Sequence, residues 1–174
     1  PCAVAIAPHG WEVRHDDEPL VFGAAVTGAP EAKAALAFAA DLAAAAQAPG
    51  RAISVVDVPS PAHPMFALTS YEGWRSERRQ DVERETQELI DAVAPGATPM
   101  VVEGDPLEQL VAASRDLDLL VVGSRRYGPL RRVLLGGVST PLIEQAHCPI
   151  VIVPRGVEAE PAPEPAAGQT AARA

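Results

Sequence analysis

The residues of this 174-residue chain best arranged for chemistry lie in one segment, Gly123-Ser-Arg-Arg-Tyr-Gly-Pro-Leu-Arg-Arg-Val-Leu-Leu-Gly-Gly-Val-Ser139. It follows the apolar run Leu119 to Val122 and leads into a helical pattern that ends near Ala146. A Gly-rich turn between strand and helix lets backbone N–H groups approach a phosphate, and the helix N-terminus adds unpaired donors and a positive dipole end. The segment is therefore laid out as a phosphate cradle. Two stricter patterns fail. Gly123 and Gly128 have the spacing that opens a P-loop, but Pro129-Leu130 stands where a lysine and a hydroxyl residue are required. No G-x-G-x-x-G occurs, so dinucleotide binding has no support.

Other chemistries find less. His9, His15, His63 and His147 are scattered with no partner at metal-ligand spacing. Ser124 and Ser139 have no neighbouring His–Asp arrangement and no G-x-S-x-G elbow, which removes the basis for hydrolase chemistry. Adenylyl transfer lacks an H-x-G-H or S-G-G-x-D signature. Arg125, Arg126, Arg131 and Arg132 form a basic cluster inside the glycine segment. They either face a phosphate or form a solvated loop face or an ion-paired edge. No enzyme activity is expected.

The elements that must position this segment alternate. Leu20 to Val26 reads as a buried strand ended by Gly28. Pro30 suits the first position of a helix reaching Ala46, with Glu31 in its first turn and Pro49-Gly50 as its stop. Ile53 to Val58 is a second strand, followed by a Pro-rich loop, Pro59 to Pro64. Trp74, Val82, Leu89, Ile90 and Val93 recur about every third or fourth residue among charges, an amphipathic helix over 72–93. Met100 to Val102 is a third strand, and Asp105 caps a helix from Pro106 to about Arg115. Leu119 to Val122 and Ile150 to Val153 complete the strands. Such alternation implies parallel pairing, right-handed crossovers and helices on both faces, with ligands at the carboxyl ends of strands where strand order reverses. The loops after Val26, Val58 and Val122 are the ones to inspect.

From Val102 to Gly156 the sequence resembles the second half of a universal stress protein domain, and residues 20–58 resemble its first strand–helix–strand unit. The resemblance implies an α/β fold with an open five-stranded parallel sheet, helices on both faces, and a non-catalytic role in stress response. Members of that family that bind ATP carry a glycine, two residues, a glycine, nine residues, then Gly-Ser or Gly-Thr. Gly123 and Gly136 match the first and third glycines, Arg126 occupies the second, and Gly137 replaces the hydroxyl residue. Thr27-Gly28-Ala29 stands where binders carry an Asp near adenine and ribose. The resemblance places the candidate nucleotide site at Thr27, Gly28, Val56, Gly123, Ser124, Arg126, Gly136, Gly137, Val138 and Ser139. Arg126 brings a side chain to a point of backbone approach, and at positive φ it would cost roughly 1 kcal/mol or more. Loss of the hydroxyl at Gly137 removes a hydrogen bond worth roughly 0.5–1.5 kcal/mol. The expectation is a degenerate loop with weak or absent ATP binding. The alternatives are a functional ATP site at 123–139 and a nucleotide-independent interaction module.

A partial repeat adds a second expectation. Cys2-Ala-Val-Ala-Ile-Ala-Pro8-His-Gly10 lines up with Cys148-Pro-Ile-Val-Ile-Val-Pro154-Arg-Gly156. Residues 1–10 then read as the last strand of a preceding like domain, joined by an acidic linker (11–19) to the domain at 20–156. Ala3–Ala7 is expected to pair antiparallel with Ile150–Val153, within a tandem pair or a homodimer. That places Cys2 far from Cys148, which argues against a disulfide and makes both small buried hydrophobes. Residues 157–174 are rich in Pro, Ala and Glu and read as disordered. A net charge of −9 argues against nucleic acid as a partner. The longest apolar stretch, Ala32 to Ala48, is broken by Lys33, Asp41 and Gln47 and is no membrane span. Without a visible signal peptide, a cytoplasmic location is expected.

Overall fold

A computed structural model of the chain describes residues 2–11, 19–66, 70–124, 126–127, 133–134 and 138–154. Their elements run β1 (Val4–Ile6), β2 (Phe22–Val26), α1 (Pro30–Ala45), β3 (Gly50–Val56), α2 (Tyr71–Val93), β4 (Thr98–Glu103) and α3 (Pro106–Ala113). β5 (Leu119–Ser124), β6 (Arg126–Tyr127), β7 (Val133–Leu134), α4 (Ser139–Gln145) and β8 (Ile150–Pro154) follow. Six strands form one sheet in the order β1-β8-β5-β2-β3-β4, and β6 and β7 form a separate antiparallel pair. The five strands from β8 to β4 are parallel, and β1 joins the edge antiparallel to β8. This is the expected five-stranded parallel sheet with an added N-terminal strand.

Strand side chains alternate between faces, so consecutive apolar residues feed two cores. Ala24, Val26, Val121, Val151 and Val153 pack with Ala32, Ala35, Leu36 and Ala39 of α1 and Ile90 of α2. Ile53, Leu120, Val122, Ile150 and Ile152 pack with Leu110 and Ala113 of α3 and Leu142 of α4. Each fully buried Val, Leu or Ile contributes roughly 1.5–3 kcal/mol, so β8, buried along its length, anchors both layers. At the strands' amino ends Asp118 ties β2 to β5. Its carboxylate accepts the Val21 N–H at 2.7 Å, and its own N–H donates to the Val21 carbonyl at 2.9 Å.

Pairing partners set the strand ends that periodicity places elsewhere. β3 starts at Gly50 because Gly50 and Arg51 pair with Phe22 and Gly23 of β2. It stops at Val56, whose carbonyl accepts the Gly104 N–H at 3.0 Å. β4 starts before Met100 and includes Pro99, which an edge strand tolerates because one side needs no donor.

β1 pairs Val4 with Ile152, Ala5 with Val151 and Ile6 with Ile150. The repeat equates Val4 with Ile150, Ala5 with Val151 and Ile6 with Ile152. The two segments therefore pair about a local two-fold axis through Ala5 and Val151. No disulfide joins Cys2 to Cys148. Cys148 is buried as expected, but Cys2 is exposed, two residues before the start of β1 at Val4. Residues 12–18 and 155–174, which include most of the acidic linker and the whole tail, lie outside the described residues.

α2 is fastened to the sheet twice. Thr86 donates to the Val82 carbonyl at 2.6 Å, so its single hydroxyl hydrogen is used and the 2.6 Å contact with Ser54 is a bond donated by Ser54. Nearer its N-terminus, Arg75 Nε donates to Glu103 at 2.6 Å and Arg79 Nη1 donates to the other carboxylate oxygen at 3.0 Å. The Arg75 hydrogen bond, followed by that from Arg79, holds the Glu103 carboxyl below its usual range, against a smaller opposing effect of burial. A carboxyl more acidic in the folded state stabilises above its unfolded pKa of about 4.3, and that contribution is lost as pH falls through the folded value. Glu103→Gln is expected to lower Tm at neutral pH, with the gap to the parent chain closing below about pH 4 in a pH series of thermal melts.

Candidate functional site

Strand order reverses at β2, which has β3 on one side and β5 on the other. Chains leaving the carboxyl ends of β2 and β5 diverge to opposite faces and open a crevice. The β2 exit is short. Thr27 Oγ1 accepts the Ala29 N–H at 3.3 Å, Ala29 caps α1, and Pro30 takes the first helical position, where its missing N–H costs nothing. Glu31 follows in the first turn.

Two clefts flank this exit. One, of about 260 Å³, lies on the α3/α4 side and is lined by Thr27, Glu31, Gly123, Val138 and Ser139 over an apolar floor that includes Val122. The other, of about 660 Å³, lies between α1 and α2 and is lined by Gly28, Lys33, Ser54, Arg78 and Thr86 among others. Thr27 borders both.

The candidate residues therefore separate. Thr27, Gly123, Val138 and Ser139 meet around the smaller cleft, whereas Gly28 lines the larger one. Val56 lines neither, its side chain being 1% exposed and its carbonyl bonded to Gly104. Ser124 is buried in β5 opposite Pro154. Arg126 sits in the short ladder opposite Leu134. Gln47 is the one non-glycine at positive φ among the described residues, so the backbone strain expected at Arg126 does not arise. Gly136 and Gly137, with Arg125, Arg131 and Arg132, lie outside the described residues.

Gly123 has a role that spacing does not reveal. A Cβ built there would lie 2.7 Å from the Glu31 carbonyl oxygen and 3.0 Å from its carbon. The glycine is required because β5 passes against the backbone of α1, whatever the cleft holds. Sequence reading missed Glu31 as a site residue. Its first-turn position signalled only a favourable helix dipole, yet it is 7% exposed and lines the cleft beside Gly123.

A parallel sheet wound both ways from β2, with Gly123 at the carboxyl end of β5 beside the switch point, defines a doubly wound α/β domain. The sequence pattern of the universal stress protein family matches residues 22–154, and the chain belongs to that family. It is 29% identical over 110 residues to a universal stress protein of Methanocaldococcus jannaschii, a match covering 59% of this chain and 62% of that protein. The chain thus spans less than two thirds of that relative's length. A solved protein of Pseudomonas aeruginosa described as functionally unknown shares the fold with a TM-score of 0.61 at 16% identity, over 88% of this chain and 52% of its own. So does a universal stress protein in complex with cAMP, with a TM-score of 0.54 at 21% identity, over 77% of this chain and 95% of its own.

The approach of β5 to α1 yields a paired prediction. Gly123→Ala is expected to destabilise by about 1–3 kcal/mol, because the atoms it meets are backbone and cannot turn aside. At Gly28, where a Cβ would sit 3.5 Å from a Glu85 oxygen, alanine is expected to change stability by no more than about 0.5 kcal/mol. Urea midpoints of the two variants test the contrast.

Proposed function

We propose that this chain is a non-catalytic regulatory domain of the stress-response type whose glycine loop is a degenerate phosphate cradle, with weak or no ATP binding. The observation that carries this reading is the pairing of Arg126 with Leu134. At the position where ATP-binding relatives carry a glycine, the backbone is drawn into a ladder with its own loop. Two features add support. Thr27 offers a hydroxyl already accepting from Ala29 where ATP-binding relatives usually carry an Asp near adenine and ribose. The cleft at Gly123 and Ser139, about 260 Å³, falls below the roughly 300–1,000 Å³ of sites that enclose drug-sized ligands. The cAMP bound by the structural relative belongs to that protein, at an identity that carries the fold alone.

Isothermal titration of the chain with ATP and magnesium is expected to give no saturable heat short of millimolar nucleotide. A micromolar Kd would sink the reading and assign residues 123–139 to functional ATP binding.

The assembly reading rests on the two-fold register of β1 and β8. We infer that Ala3–Ala7 acts as the last strand of a like domain and covers the β8 edge within one chain, a tandem rather than a homodimeric arrangement. An apolar edge as fully buried as β8 is a strand-pairing hazard once uncovered. Sedimentation is expected to return a monomer for the parent chain and a larger species for Ile6→Asp, in which β1 is dislodged. Monomers in both cases would remove the edge from the argument.

A further inference from the structure

Aromatic residues are scarce in this chain, with two Trp, two Tyr and three Phe, yet three of them meet near one helix start. Phe66 closes the 3-10 turn Pro64–Phe66, and Tyr71 and Trp74 lie in the opening turns of α2. Ser70 caps that helix by accepting the Gly73 N–H at 3.1 Å, and residues three apart share a helix face. The Phe66 ring meets Tyr71 edge-on at 5.0 Å between centroids and Trp74 at 5.3 Å, with the His63 ring at 6.4 Å. None of the three aromatics belongs to either core or packs against one. Each is half-buried, and Met65 beside Phe66 is 46% exposed. A surface of tilted aromatic rings is the kind that grips proline-rich segments in the polyproline II conformation.

The chain carries such a segment outside the described residues. Residues 159–166 read Ala-Glu-Pro-Ala-Pro-Glu-Pro-Ala. Polyproline II has three residues per turn, so Ala159, Ala162 and Pro165 would share one face and Glu158, Pro161 and Glu164 another. Pro and Ala have no rotamer freedom to lose on docking. The segment also reaches. β8 runs parallel to the strands as far as β4, so Pro154 stands at the carboxyl edge of the sheet. α2 begins at that same edge, where Arg75 bonds Glu103, the last residue of β4. The strand order puts β4 four spacings from β8, about 19 Å. The stretch from Pro154 to Pro161 can extend across about 23 Å.

We propose that the proline-rich segment 159–166 of this chain docks, as a polyproline II helix, on the aromatic surface formed by Phe66, Tyr71 and Trp74. Its Ala–Pro face meets the rings, and Glu158 and Glu164 face solvent. The contact forms within one chain and is independent of what the glycine loop binds.

The test uses the full chain with Cys2→Ser and Gln169→Cys, a nitroxide being attached three residues past the segment. Cys148 is buried and stays unlabelled. Paramagnetic loss of amide intensity should concentrate at Phe66, Tyr71, Trp74 and their neighbours. Replacing Pro161, Pro163 and Pro165 together by Ser should abolish that concentration, and Trp74→Ala should weaken it. The proline variant lies outside both cores and carries the test alone if Trp74→Ala fails to fold. Mixing spin-labelled chain with isotope-labelled chain that bears no nitroxide should give no loss. Loss in that mixture equal to the loss within one chain assigns the surface to a second copy and overturns the proposal. So does a loss spread evenly, centred elsewhere, or unchanged by the proline replacements.

Discussion

The backbone of β5 at Gly123 lies against the first turn of α1, with no space for a Cβ between them. Small side chains make this approach possible along the whole contact. Ala32, Ala35 and Ala39 face the sheet, so the α1 axis lies closer to it than larger residues would allow. The position of Glu31 is a consequence. A helix start pressed against β5 leaves its first-turn glutamate buried beside Gly123, among the residues that line the crevice. One steric constraint therefore governs the helix–sheet distance and the need for glycine.

The opposite end of the sheet is held by polar contacts. α2 reaches β3 through the Ser54–Thr86–Val82 hydrogen-bond chain and β4 through Glu103, held by Arg75 and Arg79. The buried hydroxyls cost little because each hydrogen has an acceptor, while the ion pairs are partly exposed and act chiefly to orient the helix. The sheet edges are likewise managed differently. β4 carries Pro99 and is covered in part by α2, whereas the fully apolar β8 is shielded by pairing with β1.

Much of the fold was legible because its signals are local. Pro30, Asp105-Pro106 and Pro49-Gly50 mark helix ends through their own dihedral and donor limits. The apolar runs at 119–122 and 150–153 can only be strands buried on both faces. The repeat even anticipated the antiparallel pairing of β1, since two copies of one strand meet most simply about a two-fold axis. The site was legible only in outline. Thr27, Gly123, Val138 and Ser139 converge as their places after β2 and β5 require, but Gly28 and Val56 do not join them. Spacing specifies which loop a residue occupies and leaves open which side of the sheet its side chain lines.

By itself, then, the sequence determined the family, the α/β alternation, the parallel sheet and the loop in which any ligand chemistry resides. These follow from periodicity, caps and glycine spacing, all of which act over a few residues. Tertiary structure decided what that loop means. The reason for Gly123 and the burial of Glu31 beside it depend on residues distant in sequence. Contacts of that kind are set by the distance between packed layers, a quantity no local pattern encodes.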